Sequence, residues 1–168
     1  FARYGLEAGN RFSAGITAEK DPGEAFFSGS NNQGFDFYSG YISANISKTL
    51  QNITVGDFLV RNGQGLVMWQ GYTTGKSENV LGISKNGQGI RPSTGVDENL
   101  FFRGATTTLN FGKANLNLFF SGKKDDGNLA GNDSLGFYVT SLQTSGYHRT
   151  DNEIADENSI RNTNFGGT

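Results

Sequence analysis

Residues 114–121 alternate strictly. Ala114, Leu116, Leu118 and Phe120 form one row; Asn115, Asn117, Phe119 and Ser121 form the other. A strand sends successive side chains to opposite faces, so this segment has one apolar and one largely polar face. The same period recurs along the chain. Ala2, Tyr4, Leu6 and Ala8 oppose Arg3, Gly5 and Glu7 in residues 1–8. Phe12, Ala14, Ile16 and Ala18 oppose Arg11, Ser13, Gly15, Thr17 and Glu19 in residues 11–20. Tyr38, Gly40, Ile42, Ala44 and Ile46 oppose Phe37, Ser39, Tyr41, Ser43 and Asn45 in residues 35–47. Residues 52–61, 101–111 and 136–143 are further strands, and residues 151–161 predict one short helix with Asp151 as N-cap. In 52–61, Asp57 shares a row with Ile53, Val55 and Leu59. A carboxylate is unfavourable on an apolar face, so Asp57 is expected to turn inward after a bulge.

The connections alternate as well. Gly9-Asn10, 48–51 and Gly112-Lys113 are short; 21–34, 62–100 and 123–135 are long and polar. Six strands in antiparallel order then carry every long connection at one end. No helical segment is available to cover the apolar rows. Alternating rows, short turns and long loops of this kind are the signature of an outer-membrane β-barrel, whose greasy face meets lipid. The expected fold is therefore all-β: an antiparallel meander forming part of a transmembrane outer-membrane β-barrel, with long external loops and one short helix near the C-terminus. Residues 1–168 read as a single partial barrel domain, an internal fragment of a larger protein. Its first and last strands should be open edges. Leu6, Phe12, Ala14, Ile16, Ile42, Ala44, Ile46, Leu109, Leu116 and Leu118 are expected to face lipid, and Arg3, Glu7, Arg11, Glu19 and Asn117 the interior.

Composition changes the picture only a little. Of 168 residues 35% are hydrophobic, which is lean for a double-sided soluble core, whereas a barrel strand needs one greasy face only. The mean hydropathy of -0.47 is compatible with that. The net charge of -2 argues against a nucleic-acid surface. There is no cysteine, so disulfides and thiolate metal sites are excluded. No apolar run approaches the roughly 18 residues of a membrane-spanning helix.

Three segments carry a resemblance: GDFLVRNGQGLVMWQG at 56–71, GKSENVLGISKNGQGIRPSTGVDENLFFRGA at 75–105 and TSLQTSGYHRTDNEIADENSI at 140–160. Together they resemble a family of large outer-membrane β-barrels from Bacteroidota whose members often carry helix-hairpin-helix repeats ahead of the barrel. The likeness covers the barrel portion only, through most of residues 35–160. It implies an outer-membrane location and a barrel fold, and it brings no DNA-binding role to this segment.

The candidate chemistry is sparse. His148 is the only histidine and lacks the partners of a transition-metal site, so it reads as a hydrogen-bonded loop residue. Gly63-Gln64-Gly65 and Gly87-Gln88-Gly89 read as turn chemistry in preference to phosphate loops. Asp125-Asp126-Gly127-Asn128 has oxygen ligands for calcium but lacks the spacing of a calcium loop. Asp57, Arg61, Arg91, Asp97, Glu98 and Arg103 flank the 62–100 excursion and are candidates for a polar network that fastens it or meets a charged solute in the barrel mouth. Trp69 is a candidate ligand-stacking or anchoring aromatic. Leu66, Val67, Trp69, Leu81, Ile83 and Ile90 are expected to dock the excursion as a folded plug. No catalytic constellation, cofactor site or metal site emerges.

The function expected is that of an outer-membrane component serving transport, secretion or surface assembly, not an enzyme. Its expected partners are the lipid bilayer and other outer-membrane or periplasmic proteins. The alternative is a soluble β-rich module binding carbohydrate or another surface ligand.

Overall fold

The computed structural model describes residues 1–23, 26–27, 34–70, 84–132, 136–148 and 150–168. The fold is all-β. Antiparallel strands β1 (Ala2–Ala8), β2 (Phe12–Glu19), β3 (Phe37–Ala44), β4 (Leu50–Arg61), β6 (Phe102–Asn110), β7 (Asn115–Asp125) and β10 (Ile160–Gly167) lie side by side in that order. The short strand β5 (Gly89–Pro92) pairs with β4. β8 (Gly127–Asn132) and β9 (Gly136–Leu142) form a separate hairpin. One helix, α1 (Asp151–Asp156), precedes β10.

The three hairpins read from the alternation, β1–β2, β3–β4 and β6–β7, are present and adjacent. The first turn holds three residues, Gly9 to Arg11, where two were expected, because Ala8 pairs with Phe12. Strict antiparallel order leaves the connections 20–36, 62–101 and 126–159 at one end of the sheet and the tight turns at the other.

The register aligns polarity across the sheet. Leu6, Ala14, Ile42, Val55, Ala105, Phe120 and Phe165 are successive cross-strand partners, so one unbroken apolar row crosses seven strands. The neighbouring row on the opposite face is Glu7, Ser13, Ser43, Thr54, Thr106, Phe119 and Gly166. Burial is the reverse of a soluble sheet: Ser43, Thr54 and Thr106 are buried, whereas Leu6, Ile42, Val55 and Phe120 are exposed, Ile42 by 57%. The buried hydroxyls are satisfied by one another and by the backbone. Thr54 donates to Ser43 Oγ at 2.9 Å, and Thr106 donates to the Leu118 carbonyl at 2.9 Å. The second row is called the inner face below.

The excursion covers that inner face. Asn62 Nδ2 donates to Thr168 Oγ1 at 2.7 Å, and Thr168 continues the β10 register against Asn117. β4 and β10 are three strand spacings apart, about 14 Å, and Asn62 directly follows β4, so the end of β4 itself leans over β6 and β7, with Phe58 and Val60 against Phe119, to reach it. Phe58 and Val60 are fully buried against Phe119, with Met68 and Ile90 from the two arms of the excursion packed around them. Burying a side chain of that size contributes about 1.5–3 kcal/mol.

Several sequence expectations are corrected. Leu66 and Val67 do not dock; they are 94% and 91% exposed, beside a turn in which Gly63 and Gly65 both take positive φ. Leu81 and Ile83 lie outside the described residues. No bulge turns Asp57 inward: β4 and β6 stay in register from Asn52 to Phe58, and the one shift is between Leu50 and Asn52. The 123–135 segment is not simply a loop, since β7 runs to Asp125 and β8 follows. The helix ends at Asp156 and not at residue 161. Thr150, not Asp151, caps it, through a capping box with Glu153. Asn158 then takes φ 53 and the chain enters β10, which replaces β9 as the last strand of the main sheet.

Candidate functional site

The β3–β4 ladder stops at Tyr41↔Gly56. Gly56 has φ 108, a region open to glycine, and a Cβ there would strike the Gly40 carbonyl. Past this point β5 takes the β4 edge, with Phe58 opposite Pro92 and Ser93 N donating to the Asp57 carbonyl at 2.8 Å. β3 has therefore lost its backbone partner, and side chains close the seam. Gly40 N donates to Asp57 Oδ2 at 3.1 Å. Arg103, the cross-strand partner of Asp57, grips both carboxylate oxygens, Nε to Oδ1 at 2.7 Å and Nη2 to Oδ2 at 2.9 Å. Its Nη2 also donates to the Tyr38 carbonyl at 2.7 Å. The Phe37 and Phe101 rings meet edge to face at 5.7 Å, and the Arg103 guanidinium lies 5.2 Å from the Phe101 centroid.

A polar cavity of about 210 Å³ adjoins the seam at the long-loop end. Its lining mixes the two faces of the sheet, Phe37 and Lys123 with Tyr38 and Lys124. Lys123 is deeply buried yet fully partnered: Nζ donates to the carbonyls of Glu98 at 2.7 Å and Asn99 at 3.2 Å, pairs with Asp125 at 3.0 Å and sits 4.1 Å over the Phe101 ring. Asp126 organises the outer loop. It accepts from Asn158 N at 2.7 Å and contacts His148 Nε2 at 3.0 Å, while its carbonyl accepts from Gln143 N at 2.9 Å.

Charge and burial shift three groups in this cavity. The hydrogen bond to Asp126 first, and the neighbouring carboxylates after it, hold His148 up at about 9 despite burial. Burial alone would raise Asp126, but His148 and the Asn158 N–H outweigh it and bring the carboxyl below its ordinary value. Burial, then the charge of Asp36, push Glu98 up to about 8.

The six charged residues singled out from the sequence fall into separate places. Asp57 and Arg103 form the clasp. Arg61 fastens the excursion, Nε donating to the Gln70 carbonyl at 2.6 Å and Nη1 reaching Gln88 Oε1 at 3.5 Å. Arg91 is exposed on β5 opposite Leu59, with no hydrogen bond or ion pair to the other five among the described residues. Asp97 caps its own loop by accepting from the N–H groups of Asn99 and Leu100. Glu98 lines the polar cavity. Trp69 is half-buried on the excursion, bridged to Arg61, with the Lys85 ammonium 5.0 Å from its ring. Gln64 ties the two arms together, its side-chain amide bonding both the N–H and the carbonyl of Lys85.

Sequence reasoning missed Lys123 and the pivotal role of Asp126. Lys123 was findable, since it falls two and four residues beyond Ser121 and Phe119 on the inner row. Asp126 was not, because its partners lie 17 to 32 residues away. The Asp125–Asn128 carboxylates are engaged with Lys123, His148 and Asn162. Among the described residues no group of three or more metal-ligating side chains is present. Compared with protein-family models, curated proteins and solved structures, the chain matches none.

Proposed function

We propose that this chain forms part of the wall of an outer-membrane β-barrel whose 62–100 excursion folds over the inner face and narrows the passage. The observation that carries this reading is the inverted polarity of the sheet: an apolar row exposed across seven strands, opposite a buried row of hydroxyls. In water, such an exposed contiguous face is costly; against lipid it is what a barrel strand requires. The sorting of long connections to one end supports the same reading, and the packing of Met68 and Ile90 on the inner cluster supports the narrowing role. The activity served is passage of a solute or polypeptide, in transport, secretion or surface assembly. The soluble carbohydrate-binding alternative gains no specific support, since the aromatic it singled out, Trp69, is half-buried and engaged by Lys85.

Two measurements test it. The full-length protein should pellet with outer membranes and resist carbonate extraction; release into the supernatant would end the barrel reading. In planar bilayers, deletion of residues 66–98 should give larger or newly open channels. Unchanged conductance from a properly inserted deletion would remove the narrowing role and leave the wall.

A further inference from the structure

We infer that an odd number of further strands, at least three, closes the wall between β10 and β1, and that the strand joining each free edge runs toward the long-connection end. This rests on the barrel reading and concerns what the two edges bind. β1 leads into the tight turn at 9–11, and β10 follows the 126–159 connection. Both therefore run from the long-connection end to the tight-turn end. Their antiparallel neighbours must run the other way. A set of alternating strands that begins and ends in one direction has an odd number of members. A copy of this chain turned about the barrel axis, or the chain closing on itself, would set β1 beside β10 in parallel. That is not the pairing of a bacterial barrel wall.

The backbone shows which groups await a partner. Asn45 N donates to the Arg11 carbonyl, which fixes the hydrogen-bonded pairs between β2 and β3. By alternation Phe12, Ala14, Ile16 and Ala18 turn to β1, leaving the N–H and C=O of Arg3, Gly5 and Glu7 on the free edge. Asn117 and Thr168 exchange both bonds, which leaves those of Arg161, Thr163 and Phe165 on the other free edge. Hydrocarbon offers such groups no hydrogen bond, so an edge in lipid does not stay open. Neither edge is guarded as solvent-facing edges are, by a bulge, a proline or a covering segment. Both registers are unbroken, neither strand holds proline, and among the described residues no strand pairs along either edge. The charges of β1, Arg3 and Glu7, stand on the inner face, where Arg3 Nε donates to Thr17 Oγ1 at 3.3 Å.

The lower bound comes from what the wall encloses. One further strand would make eight with the seven wall strands present. The interior of an eight-stranded barrel is filled by its own side chains. Here the excursion brings Met68 and Ile90 onto Phe58, Val60 and Phe119, a second layer of backbone inside the wall. Packed backbone layers lie about 10 Å apart, and eight strands leave no room for one. The next even total needs three further strands.

Hydrogen exchange on the full-length protein in micelles reads the edges. The amides of Arg3, Gly5, Glu7, Arg161, Thr163 and Phe165 should exchange about 100-fold or more slower than unprotected amides, as interior strands do. Free exchange along either row overturns the paired edge. Cysteine pairs joining Tyr4, Leu6 or Ala8 to Arg161, Thr163 or Phe165, all exposed positions of the outer face, read the count. No pair should form a disulfide, or join through a bis-maleimide spanning about 10 Å, two strand spacings. A disulfide within one chain would mean parallel closure, and one between chains a ring of copies. A maleimide link without a disulfide would mean a single intervening strand. Each of these overturns the inference. A protein that resists carbonate extraction yet gives any of them defeats only this inference; one released by carbonate defeats the barrel reading beneath it.

Discussion

At the residue scale the clasp is asymmetric. Asp57 is 1% exposed, whereas the Arg103 side chain is 46% exposed. Arg103→Met strands a buried carboxylate, with the Gly40 N–H its one remaining donor among the described residues. The expected loss is about 2–3 kcal/mol, below the roughly 3–5 kcal/mol for breaking a fully buried pair because Arg103 is half in solvent. Asp57→Asn leaves a guanidinium that solvent can satisfy and should cost less. Urea titration of the folded protein in liposomes checks the order; an equal or larger loss for Asp57→Asn would refute the burial argument. The His148–Asp126 contact gives a second prediction. Raised from 6.5 to about 9, His148 contributes stability in full below pH 6.5 and loses it as pH climbs through 9. Asp126, being lowered, contributes above pH 3.8 and loses it as acid titrates it. Glu98, raised to about 8, favours the fold below pH 4.5 and stops doing so as pH rises through 8. The 126–159 loop should therefore loosen as pH rises, read as protease sensitivity that climbs between pH 4.5 and about 8 through Glu98 and between pH 6.5 and about 9 through His148. His148→Gln should remove the upper part of that rise and leave the part due to Glu98. A profile unchanged by His148→Gln would assign no role to the contact.

At the scale of elements, the six strands with clear two-residue periodicity were legible because pairing rewards alternation and nothing local competes with it. Residues 160–167 were not. Their sequence, IRNTNFGG, has no apolar row, and their strand state comes from pairing with β7. The segment before it, 157–159, continues an apparent helical run from 151, but Asn158 N is taken by Asp126 from a distant strand end, which stops the helix. The excursion's inward course was legible only in part. Val60, Met68 and Ile90 are apolar for this reason, yet the equally apolar Leu66 and Val67 stay exposed beside two glycines with positive φ. The exposed row makes its own prediction. Ile42 is the third member of the seven-strand row, and Ile42→Arg should cost about 2–4 kcal/mol if that row is at the bilayer midplane. On a water-facing surface the same change stays within about 0.5 kcal/mol. Unfolding from liposomes distinguishes the two, and a near-neutral result would contradict a lipid-facing row.

On the scale of the whole molecule, β4 has two roles. From Leu50 to Gly56 it pairs with β3 and β6; from Asp57 to Arg61 it exchanges β3 for β5, and its end leans across to β10, where Asn62 bonds Thr168. A strand that leaves its neighbour weakens the sheet there, and the clasp is what that departure requires. Its return is the packed cluster of Phe58, Val60 and Phe119, which seats the excursion as a continuation of the wall and not as an appended loop. The Asn62–Thr168 hydrogen bond is the most distant expression of this course, joining residues 106 apart in sequence. Cysteines at these two positions, in a chain that has none of its own, should join through a short bis-maleimide in the membrane-embedded protein. The cross-linked form should keep the conductance of the unmodified one, because the link fixes an arrangement already present. Were the excursion to lie outside the passage, Asn62 and Thr168 would be separated by the width of β6 and β7 and by the sheet itself, and no short reagent would span them. Failure to cross-link while single-cysteine controls react at both positions would therefore place the excursion elsewhere.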